Sequence, residues 1–392
     1  CAVALDGGGH VLITTFIENA LSLAEAWTSQ AVLPAGERAA LSVLIPAFRA
    51  LGRLHAAGLV QDDLHLGNFL RCGDDVFVID GDAVRAISPG QPLDERAGVA
   101  NLAVLFAQLP MAWDACRQPL IDAYVAGSGQ RFADPALLDA EVSRVREWRL
   151  NDFLGKTLRD CTLFSVVRSA FRFSAARRCE VDFLAPIMVS PDTAMRAGEM
   201  LKDGRTSTVA CVASGDRTLV IKRYNLKNLR HALTRFWRPS RAWHSWREAH
   251  RLAFYGIATP DPLGFVEERV GPLRGRAFLI TEHCPGINLL KLLSAEAMPS
   301  AEVAQAIVSL FQRLHDLRIS HGDLKATNLL WNDGRVFLID LDAMVQHQSP
   351  RRYAKAWRRD RARLLRNWAP ASVLYRWLDA TLPPAEPQRS MR

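Results

Sequence analysis

The chain has 392 residues, of which 49% are hydrophobic and 23% charged; this suits two folded domains and excludes a disordered, coiled-coil or collagen-like chain. Its longest apolar stretches, such as 41–48, are far shorter than the roughly 18 to 20 residues of a membrane span, and its seven cysteines include no C-x-x-C pair, so no zinc or disulfide framework is expected. The net charge of +8 is concentrated in two basic segments, 222–251 and 351–366, which suit phosphate-rich partners such as nucleotides, nucleic acid or anionic lipid.

An internal repeat organises the chain. Residues 53–84 align without gaps with residues 313–344, and 13 of the 32 positions are identical. The identical positions include polar residues that a shared hydrophobic pattern would not repeat: His55/His315, Asp63/Asp323, Asn68/Asn328, Asp80/Asp340 and Asp82/Asp342. Two copies of one domain are therefore predicted.

The first copy extends from the start of the chain to about residue 150. A strand ending at 12–14 precedes a Leu- and Ala-rich helical region, and the second copy has the same order after a strand ending at 279–281. The second copy has a further lobe upstream; in the first copy we expect the matching lobe to precede Cys1, as in an N-terminally truncated chain. Between the copies, residues 151–195 are predicted to be a linker, with 162–175 as a possible extra strand.

The second copy is predicted to begin with a β-hairpin between Gly198 and Asn225, because β-branched residues alternate there around a turn at 214–216. A helix is predicted at about 243–255, and the Thr-Pro-Asp-Pro run at 259–262 ends it.

The tryptophan-bearing basic segment 235–247 has three interpretations: a solvated charged face, a surface for the phosphates of anionic lipid or glycolipid, or a stacking surface for single-stranded nucleic acid. Nucleic acid is the least favoured of the three. The second basic segment, 351–366, is predicted to be an amphipathic helix beneath the active site.

The motif that indicates chemistry is His-Gly-Asp-Leu-Lys-Ala-Thr-Asn at 321–328, followed by an apolar strand that ends in Asp340. Phosphoryl transfer needs an oriented acceptor hydroxyl and divalent metal ions on the phosphates. Asp323 is placed to accept the hydroxyl proton, while Asn328 and Asp340 supply the oxygen ligands that Mg²⁺ prefers.

A cation for the phosphates is also needed. Lys222 ends the strand Leu-Val-Ile-Lys, and Glu248 in the following helix is its predicted partner. Gly204 and Thr206 lie in a loop whose hydroxyl groups and backbone amides suit phosphate binding. His321 and His315 are predicted to be structural, whereas Asp342 and Asp82 are either further metal ligands or caps of the following turn.

With these motifs the chain resembles the lipopolysaccharide core kinases, the heptose and Kdo kinase family, over about 196–370 as a nearly whole domain and over about 1–150 as a second lobe. The resemblance implies that Asp323 is the catalytic base and that Lys222 is essential for catalysis. By the same matching the first copy contributes Asp63 as a catalytic residue and Asn68 and Asp80 as metal ligands. The implied nucleotide contacts are Lys222, Glu248, Gly204, Thr206 and Glu282.

The expected fold is therefore α+β: a protein-kinase-like two-lobed fold in tandem, with the first copy lacking its N-terminal lobe. The expected domains are a second lobe at 1–150, a linker at 151–195 and a complete domain at 196–392, with lobes at about 196–282 and 283–380.

The expected activity is ATP- and Mg²⁺-dependent phosphorylation of a sugar hydroxyl of the lipopolysaccharide inner core, in the cytoplasm or on the inner face of the inner membrane. The sequence departs from regulated protein kinases, with His-Gly-Asp in place of His-Arg-Asp and about 50 residues after Asp340, which favours a small or glycolipid acceptor. Two alternatives stay open: a protein or small-molecule kinase of the aminoglycoside-phosphotransferase type, and a nucleotide-binding pseudokinase scaffold.

Overall fold

The computed structural model describes residues 2–5, 9–12, 15–30, 35–73, 75–131, 134–225, 239–271 and 273–384. The chain folds into two compact units, Cys1–Arg149 and Leu150–Arg392. Among the described residues, no helix is both long and apolar enough to cross a membrane.

The first unit combines short antiparallel strands with helices. Its strands are β1 (Ala2–Leu5), β2 (Gly9–Leu12), β3 (Leu21–Ser22), β4 (Leu59–Gln61), β5 (Phe69–Cys72), β6 (Asp75–Val78) and β7 (Val84–Ala86). Its helices are α1 (Leu23–Gln30), α2 (Arg38–Ala56), α3 (Glu95–Phe106), α4 (Gln118–Ser128) and α5 (Pro135–Lys156), the last of which ends in the second unit. Strand β1 pairs with β2, β4 with β7, and β5 lies between β3 and β6. The end of the predicted strand at 12–14 lies partly outside the described residues.

Two glycines allow α2 and α4 to approach closely. A Cβ atom on Gly52 would lie 2.3 Å from the carbonyl oxygen of Tyr124, and one on Gly127 would lie 2.2 Å from that of Arg49. Larger residues at these positions would separate the two helices, which contribute Leu44, Phe48 and Tyr124 to the buried core of this unit. The apolar spacing of α2 thus specifies the face that packs, and the glycines specify how closely.

The second unit begins with an antiparallel sheet of seven strands. In chain order these are β8 (Phe164–Arg168), β9 (Arg172–Arg177), β10 (Glu199–Asp203), β11 (Ser207–Ser214), β12 (Arg217–Tyr224), β13 (Pro262–Val270) and β14 (Leu273–Glu282). Their order in the sheet is β10-β11-β12-β14-β13-β9-β8. Three helices accompany the sheet: α6 (Val181–Val189), α7 (Pro191–Ala197) and α8 (Arg241–Phe254).

The alternation of side chains along β12 gives the sheet two apolar faces. Leu219 and Ile221 are fully buried in a core shared with α6 and α7. Tyr224, from the other register, packs in a second core with Trp246 of α8. Because residues two apart on a strand point to the same face, Lys222 is directed towards the face that α8 covers.

The remainder of the second unit is mainly helical. Its strands are β15 (Ile287–Asn288), β16 (Ile319–Ser320), β17 (Leu329–Asn332), β18 (Arg335–Leu338) and β19 (Val345–Gln346), and its helices are α9 (Leu289–Leu292), α10 (Ala301–Asp316), α11 (Pro350–Leu365) and α12 (Val373–Thr381). Their core includes Phe311 of α10 and Trp357 of α11, both almost fully buried. Strand β17 lies between β15 and β18, and β16 pairs with β19.

The structure differs from the linker predicted at 151–195. This segment forms β8, β9, α6 and α7, and β9 pairs with β13 within the main sheet. The stretch 162–175 holds two strands instead of one, because Ser169 forms a turn with Arg172 that reverses the chain. The predicted hairpin is present as β11 and β12, while the residues before it form β10.

Candidate active site

Lys222 lies between the sheet and the loop that follows β18. Its Nζ is 2.5 Å from Asp340 Oδ1 and 3.0 Å from Asp342 Oδ1. It also lies 4.9 Å from the centre of the Tyr224 ring. The lysine side chain is only 16% exposed. Its charge and those of the two carboxylates are therefore partly desolvated, and they attract each other more strongly than they would in water.

Asp340 is held in an unusual backbone conformation. Its φ angle is +63°, in the left-handed region, and a short 3₁₀ turn, Leu341–Ala343, follows it. Asp and Asn adopt this region more readily than most other non-glycine residues. The turn places the Asp340 and Asp342 carboxylates together at Lys222, which accounts for the Asp-x-Asp spacing.

Asp342 is the most strongly bonded carboxylate of this site. Its Oδ1 accepts hydrogen bonds from Tyr224 Oη at 2.7 Å and Ser245 Oγ at 2.9 Å, as well as from Lys222, while Arg241 binds its Oδ2. Burial alone would raise the pKa of Asp342, but the charges of Lys222 and Arg241, with the hydrogen bonds of Tyr224 and Lys222, lower that pKa to about 2. Burial and the Asp342 charge raise the pKa of Tyr224 well above its usual value.

The loop that contains Asp323 is fixed by backbone hydrogen bonds. Asn328 Nδ2 donates to the carbonyl oxygen of Asp323 at 2.9 Å, and the carbonyl oxygen of Asn328 accepts from the Ile339 amide at 3.0 Å. His321 Nε2 lies 2.9 Å from the carbonyl oxygen of Ile339. Asp323, Asn328 and the segment between β18 and Asp340 are thereby held together.

Both carboxylate oxygens of Asp323 contact cations. Lys325 Nζ lies 2.8 Å from its Oδ2, and Arg363 Nη1 of α11 lies 2.9 Å from its Oδ1. Arg363 also donates to the carbonyl oxygen of Gly322 at 2.5 Å. The Asp323 side chain is 34% exposed, so it remains accessible beside the basic face of α11.

The buried carboxylate of Asp360 stabilises the same loop through hydrogen bonds to its backbone. It accepts the amide of His321 at 2.6 Å and the amide of Gly322 at 3.0 Å. Gly322 has a φ of +79°, and a Cβ atom there would lie 2.5 Å from the carbonyl oxygen of Ala343. The glycine of His-Gly-Asp is therefore required both by backbone conformation and by space.

The prediction that Glu248 pairs with Lys222 is wrong. Glu248 is buried and binds Arg251, whose Nε lies 2.8 Å from Glu248 Oε2. Arg251 in turn donates to Gln346 at 2.7 Å. The residues of α8 that reach the loop carrying Asp342 lie in its first half: Arg241 and Ser245 bind the Asp342 carboxylate, and His244 Nε2 lies 2.9 Å from the carbonyl oxygen of Met344.

The other predicted nucleotide contacts lie at the sheet. A Cβ atom on Gly204 would be 2.9 Å from the carbonyl oxygen of Ser207, so the β10–β11 loop needs a glycine there. The carbonyl oxygen of Thr206 accepts from the Asn225 amide at 3.2 Å, which fixes the loop next to the end of β12. The Glu282 carboxylate binds Arg217 and is therefore already engaged in an ion pair.

The two described tryptophans of the basic segment 235–247 contradict the prediction that its tryptophans form an exposed binding surface. Trp246 is fully buried, and its Nε1 donates to the carbonyl oxygen of Thr157 at 3.1 Å. Trp243 packs edge-to-face on Phe173 at 5.5 Å. Trp246 is a core residue and Trp243, which is partly buried, packs against the same core, whereas residues 235–238 of the segment lie outside the described residues.

The first unit contains a similar loop. Asn68 Nδ2 donates to the carbonyl oxygen of Asp63 at 2.8 Å, and Asp80 has a φ of +64°. Asp63 lies 3.6 Å from His65. The pKa of Asp80 is raised, because its protonated form can donate a hydrogen bond to Asp82 and because the negative charge of Asp82 disfavours a second charge beside it. The residues are thus arranged as in the second unit, and two carboxylates stand together at its Asp-x-Asp turn.

Amide side chains support this first loop where His321 and Asp360 support the second. Gln61 Nε2 donates to the carbonyl oxygen of Ile79 at 3.3 Å, and Asn101 Nδ2 donates to that of Gln61 at 2.8 Å. Gln61 is fully buried. The loop therefore keeps its shape with neutral groups.

The donor set of the second unit fits a magnesium ion. Asn328 uses its Nδ2 for the Asp323 carbonyl, which leaves Oδ1 as its ligating atom, and Asp340 is 32% exposed. Mg²⁺ commonly binds to one or two protein oxygens together with substrate phosphates. Within the described ranges, no group of three or more His, Cys, Asp or Glu residues is arranged to hold a metal ion.

Sequence reasoning missed Arg241, Ser245, Arg363 and Asp360. Arg241 and Ser245 carried no motif. Asp360 did leave a signal, because it is the single acidic residue in the basic segment 351–366. A lone carboxylate in a cationic helix suggests a partner outside that helix.

Comparison with known proteins shows which proteins the second unit resembles. Residues 195–381 match the Lipopolysaccharide kinase (Kdo/WaaP) family. The 3-deoxy-D-manno-octulosonic acid kinase of Mannheimia succiniciproducens is 37% identical over 97 residues, covering 24% of this chain and 40% of that protein. The probable serine/threonine-protein kinase YbdM of Bacillus subtilis is 30% identical over 95 residues, covering 23% and 36%. The chain thus spans less than half the length of these curated relatives.

Among solved structures, WaaP in complex with acyl carrier protein is similar to this chain, with a TM-score of 0.32, 20% identity, and coverage of 46% of this chain and 82% of that one. The resemblance inferred from the sequence motifs is confirmed for residues 195–381 by the family match. A sheet lobe followed by a helical lobe is the protein-kinase-like α+β fold that the sequence predicts.

Proposed function

We propose that the second unit, a member of the Lipopolysaccharide kinase (Kdo/WaaP) family over residues 195–381, transfers the γ-phosphoryl group of ATP to a sugar hydroxyl of the lipopolysaccharide inner core. The observation that carries this proposal is the contact between Lys222 of the sheet lobe and Asp340 of the helical lobe. It brings a phosphate-binding cation and a magnesium-binding carboxylate together beside the loop of Asp323.

Asp323 accepts the proton of the acceptor hydroxyl as the bond from that oxygen to phosphorus forms and the bond from phosphorus to the ADP oxygen breaks. Asn328 and Asp340 would hold Mg²⁺, which neutralises phosphate charge when bound. Lys222 contributes a second positive charge, and Lys325 lies against the Asp323 carboxylate. The proton leaves Asp323 to solvent after transfer, because the carboxylate is partly exposed.

The cations around Asp323 suit an acidic acceptor. Arg363 reaches the carboxylate from α11, a helix with many basic residues. A hydroxyl that approaches Asp323 Oδ1 must share that oxygen with Arg363, and an acceptor with a nearby anionic group gives the guanidinium a new partner. Lipopolysaccharide core sugars carry such groups, and anionic lipids nearby would add to the attraction, so the enzyme would act at the cytoplasmic face of the inner membrane.

We further propose that the first unit is the second lobe of a tandem, kinase-like copy. Its Asp63, Asn68 and Asp80 repeat the backbone arrangement of the second unit. Its described residues include no lysine bound to Asp80 in the way that Lys222 binds Asp340. We expect this unit to bind another protein, and not to transfer phosphate in this chain.

The test is ATP turnover by the full chain with Mg²⁺ and dephosphorylated lipopolysaccharide core. Asp323→Ala should reduce the rate by about 100-fold or more, as loss of a general base does, whereas Asp63→Ala should leave it unchanged. Asp216→Asn, in the exposed β11–β12 turn, is the matched control for a lost carboxylate.

Other outcomes would select another function. Turnover with an aminoglycoside or a protein, and none with the lipopolysaccharide core, would favour the alternative kinases. Binding of Mg²⁺ and nucleotide without turnover on any acceptor would favour the scaffold. A rate loss in Asp63→Ala equal to that in Asp323→Ala would contradict the assignment of chemistry to the second unit.

A further inference from the structure

The groups that donate hydrogen bonds to Asp342 come from two elements, strand β12 and helix α8. Both elements must be fixed in place before Lys222 can bind a phosphate. Lys222 and Tyr224 belong to β12, and Arg241 and Ser245 belong to α8. All four bind the Asp342 carboxylate, which is 10% exposed. One carboxylate therefore joins the sheet, the helix and the loop that carries Asp340.

We propose that Asp342, and not a glutamate of α8, is the counter-ion that positions Lys222 and links α8 to it. The inference rests on the proposed function and adds a positioning residue to it. Glu248, the carboxylate that α8 offers, is committed to Arg251 and through it to Gln346 of β19. In this chain the lysine takes its partner from the loop after β18.

The two carboxylates at Lys222 have different tasks. Asp340 is 32% exposed, and with Asn328 it would bind the metal ion. Its contact with Lys222 must therefore loosen when the nucleotide and the metal ion bind. Asp342 Oδ1 already accepts three hydrogen bonds and its Oδ2 binds Arg241, which leaves it little capacity for a metal. Asp342 can therefore keep Lys222 in place while Asp340 changes partners.

The experiment compares Asp342→Asn, Glu248→Gln and Ser245→Ala in the full chain. The first measurement is acylation of Lys222 by an amine-reactive reagent without nucleotide, mapped by mass spectrometry. Asp342→Asn should speed labelling several-fold, because Lys222 loses its buried anchor, and Glu248→Gln should leave the rate unchanged. A merely structural role of Asp342 in packing α8 would not distinguish Lys222 from the other lysines.

The second measurement is hydrogen exchange in peptides from 241–254, and the third is binding of ADP with Mg²⁺. Asp342→Asn and Ser245→Ala should both speed exchange in the first half of α8. Nucleotide affinity should fall about 10-fold or more in Asp342→Asn, the loss of one charge-assisted bond, and less than about 2-fold in Glu248→Gln.

Unchanged Lys222 labelling and unchanged α8 exchange in Asp342→Asn would overturn the proposal. An equal loss of nucleotide affinity in Glu248→Gln would also overturn it. A chain that binds no nucleotide in any form would refute the proposed kinase function alone, since labelling and exchange would still decide the role of Asp342.

Discussion

His250 of α8 should make the second unit less stable as the pH falls. Its side chain is 2% exposed and its Nε2 has no hydrogen-bond partner. The ring packs edge-to-face on Trp246 at 4.2 Å and on Phe164 at 5.0 Å. Burial, with a smaller contribution from the charge of Arg177, lowers the pKa of His250 to about 3.

The sign and size of the effect follow from proton linkage. The unfolded chain binds a proton at His250 below a pKa of about 6.5, whereas the folded chain does not bind it until about pH 3, so stability is lost as the pH falls between these values. Between pH 7 and pH 5 the loss is about 2 kcal/mol. Other buried histidines add to the total, so the contribution of His250 is the difference between the wild type and a variant.

The assay is denaturant unfolding of the full chain at pH 7 and pH 5, with hydrogen exchange in α8 to assign the transition to the second unit. His250→Phe keeps a planar ring among its aromatic neighbours and removes the titration. The variant should lose about 2 kcal/mol less than the wild type on acidification. His65→Gln, in the first unit, serves as the control, and equal pH dependence in His250→Phe and the wild type would refute the reasoning.

Three further substitutions test the loop of Asp323 and its surroundings. Gly322→Ala should destabilise the second unit by about 1 to 3 kcal/mol, because the left-handed backbone and the Ala343 carbonyl leave no place for a Cβ atom; a melting temperature equal to that of the wild type would contradict this. Asp360→Asn should cost roughly 1.5 to 3 kcal/mol in denaturant unfolding, since two backbone amides lose a charged acceptor. Arg363→Gln should raise the KM for a lipopolysaccharide acceptor about 10-fold, the effect of one charge-assisted contact, while the KM for ATP stays unchanged; an increase in the KM for ATP alone would place Arg363 on the nucleotide side.

Local patterns were sufficient to predict the elements that form the site. The alternation before Lys222 predicts β12, and the structure adds that Asn328, predicted as a metal ligand, donates its side-chain amide to the Asp323 carbonyl oxygen at 2.9 Å. This contact spans only five residues, so it belongs to the local motif, whereas the contacts of the same loop with Ile339, Asp360 and Arg363 come from distant segments.

Contacts between distant segments could not be predicted from the sequence. The partner of Glu248 depends on the helix register after residues 226–238, whose composition does not fix that register, and the helix places Ser245 at the loop instead. The role of 162–175 depends on pairing with β13, almost 100 residues later, which no local pattern specifies. Trp246 shows the same limit, since a basic neighbourhood suggests a surface while the opposite helix face is core.

The amides that support the first loop show which groups its backbone conformation needs, as distinct from the groups that catalysis needs. Gln61 and Asn101 contribute uncharged amide hydrogen bonds to that loop, and the left-handed turn at Asp80 is retained. The left-handed backbone at this turn therefore accommodates an aspartate in the first unit as well, where none of the described residues is a lysine bound to it. The recurrence of the three polar residues in both units therefore reflects a shared backbone arrangement. Whether a unit can catalyse a reaction must be judged from the groups that surround these residues.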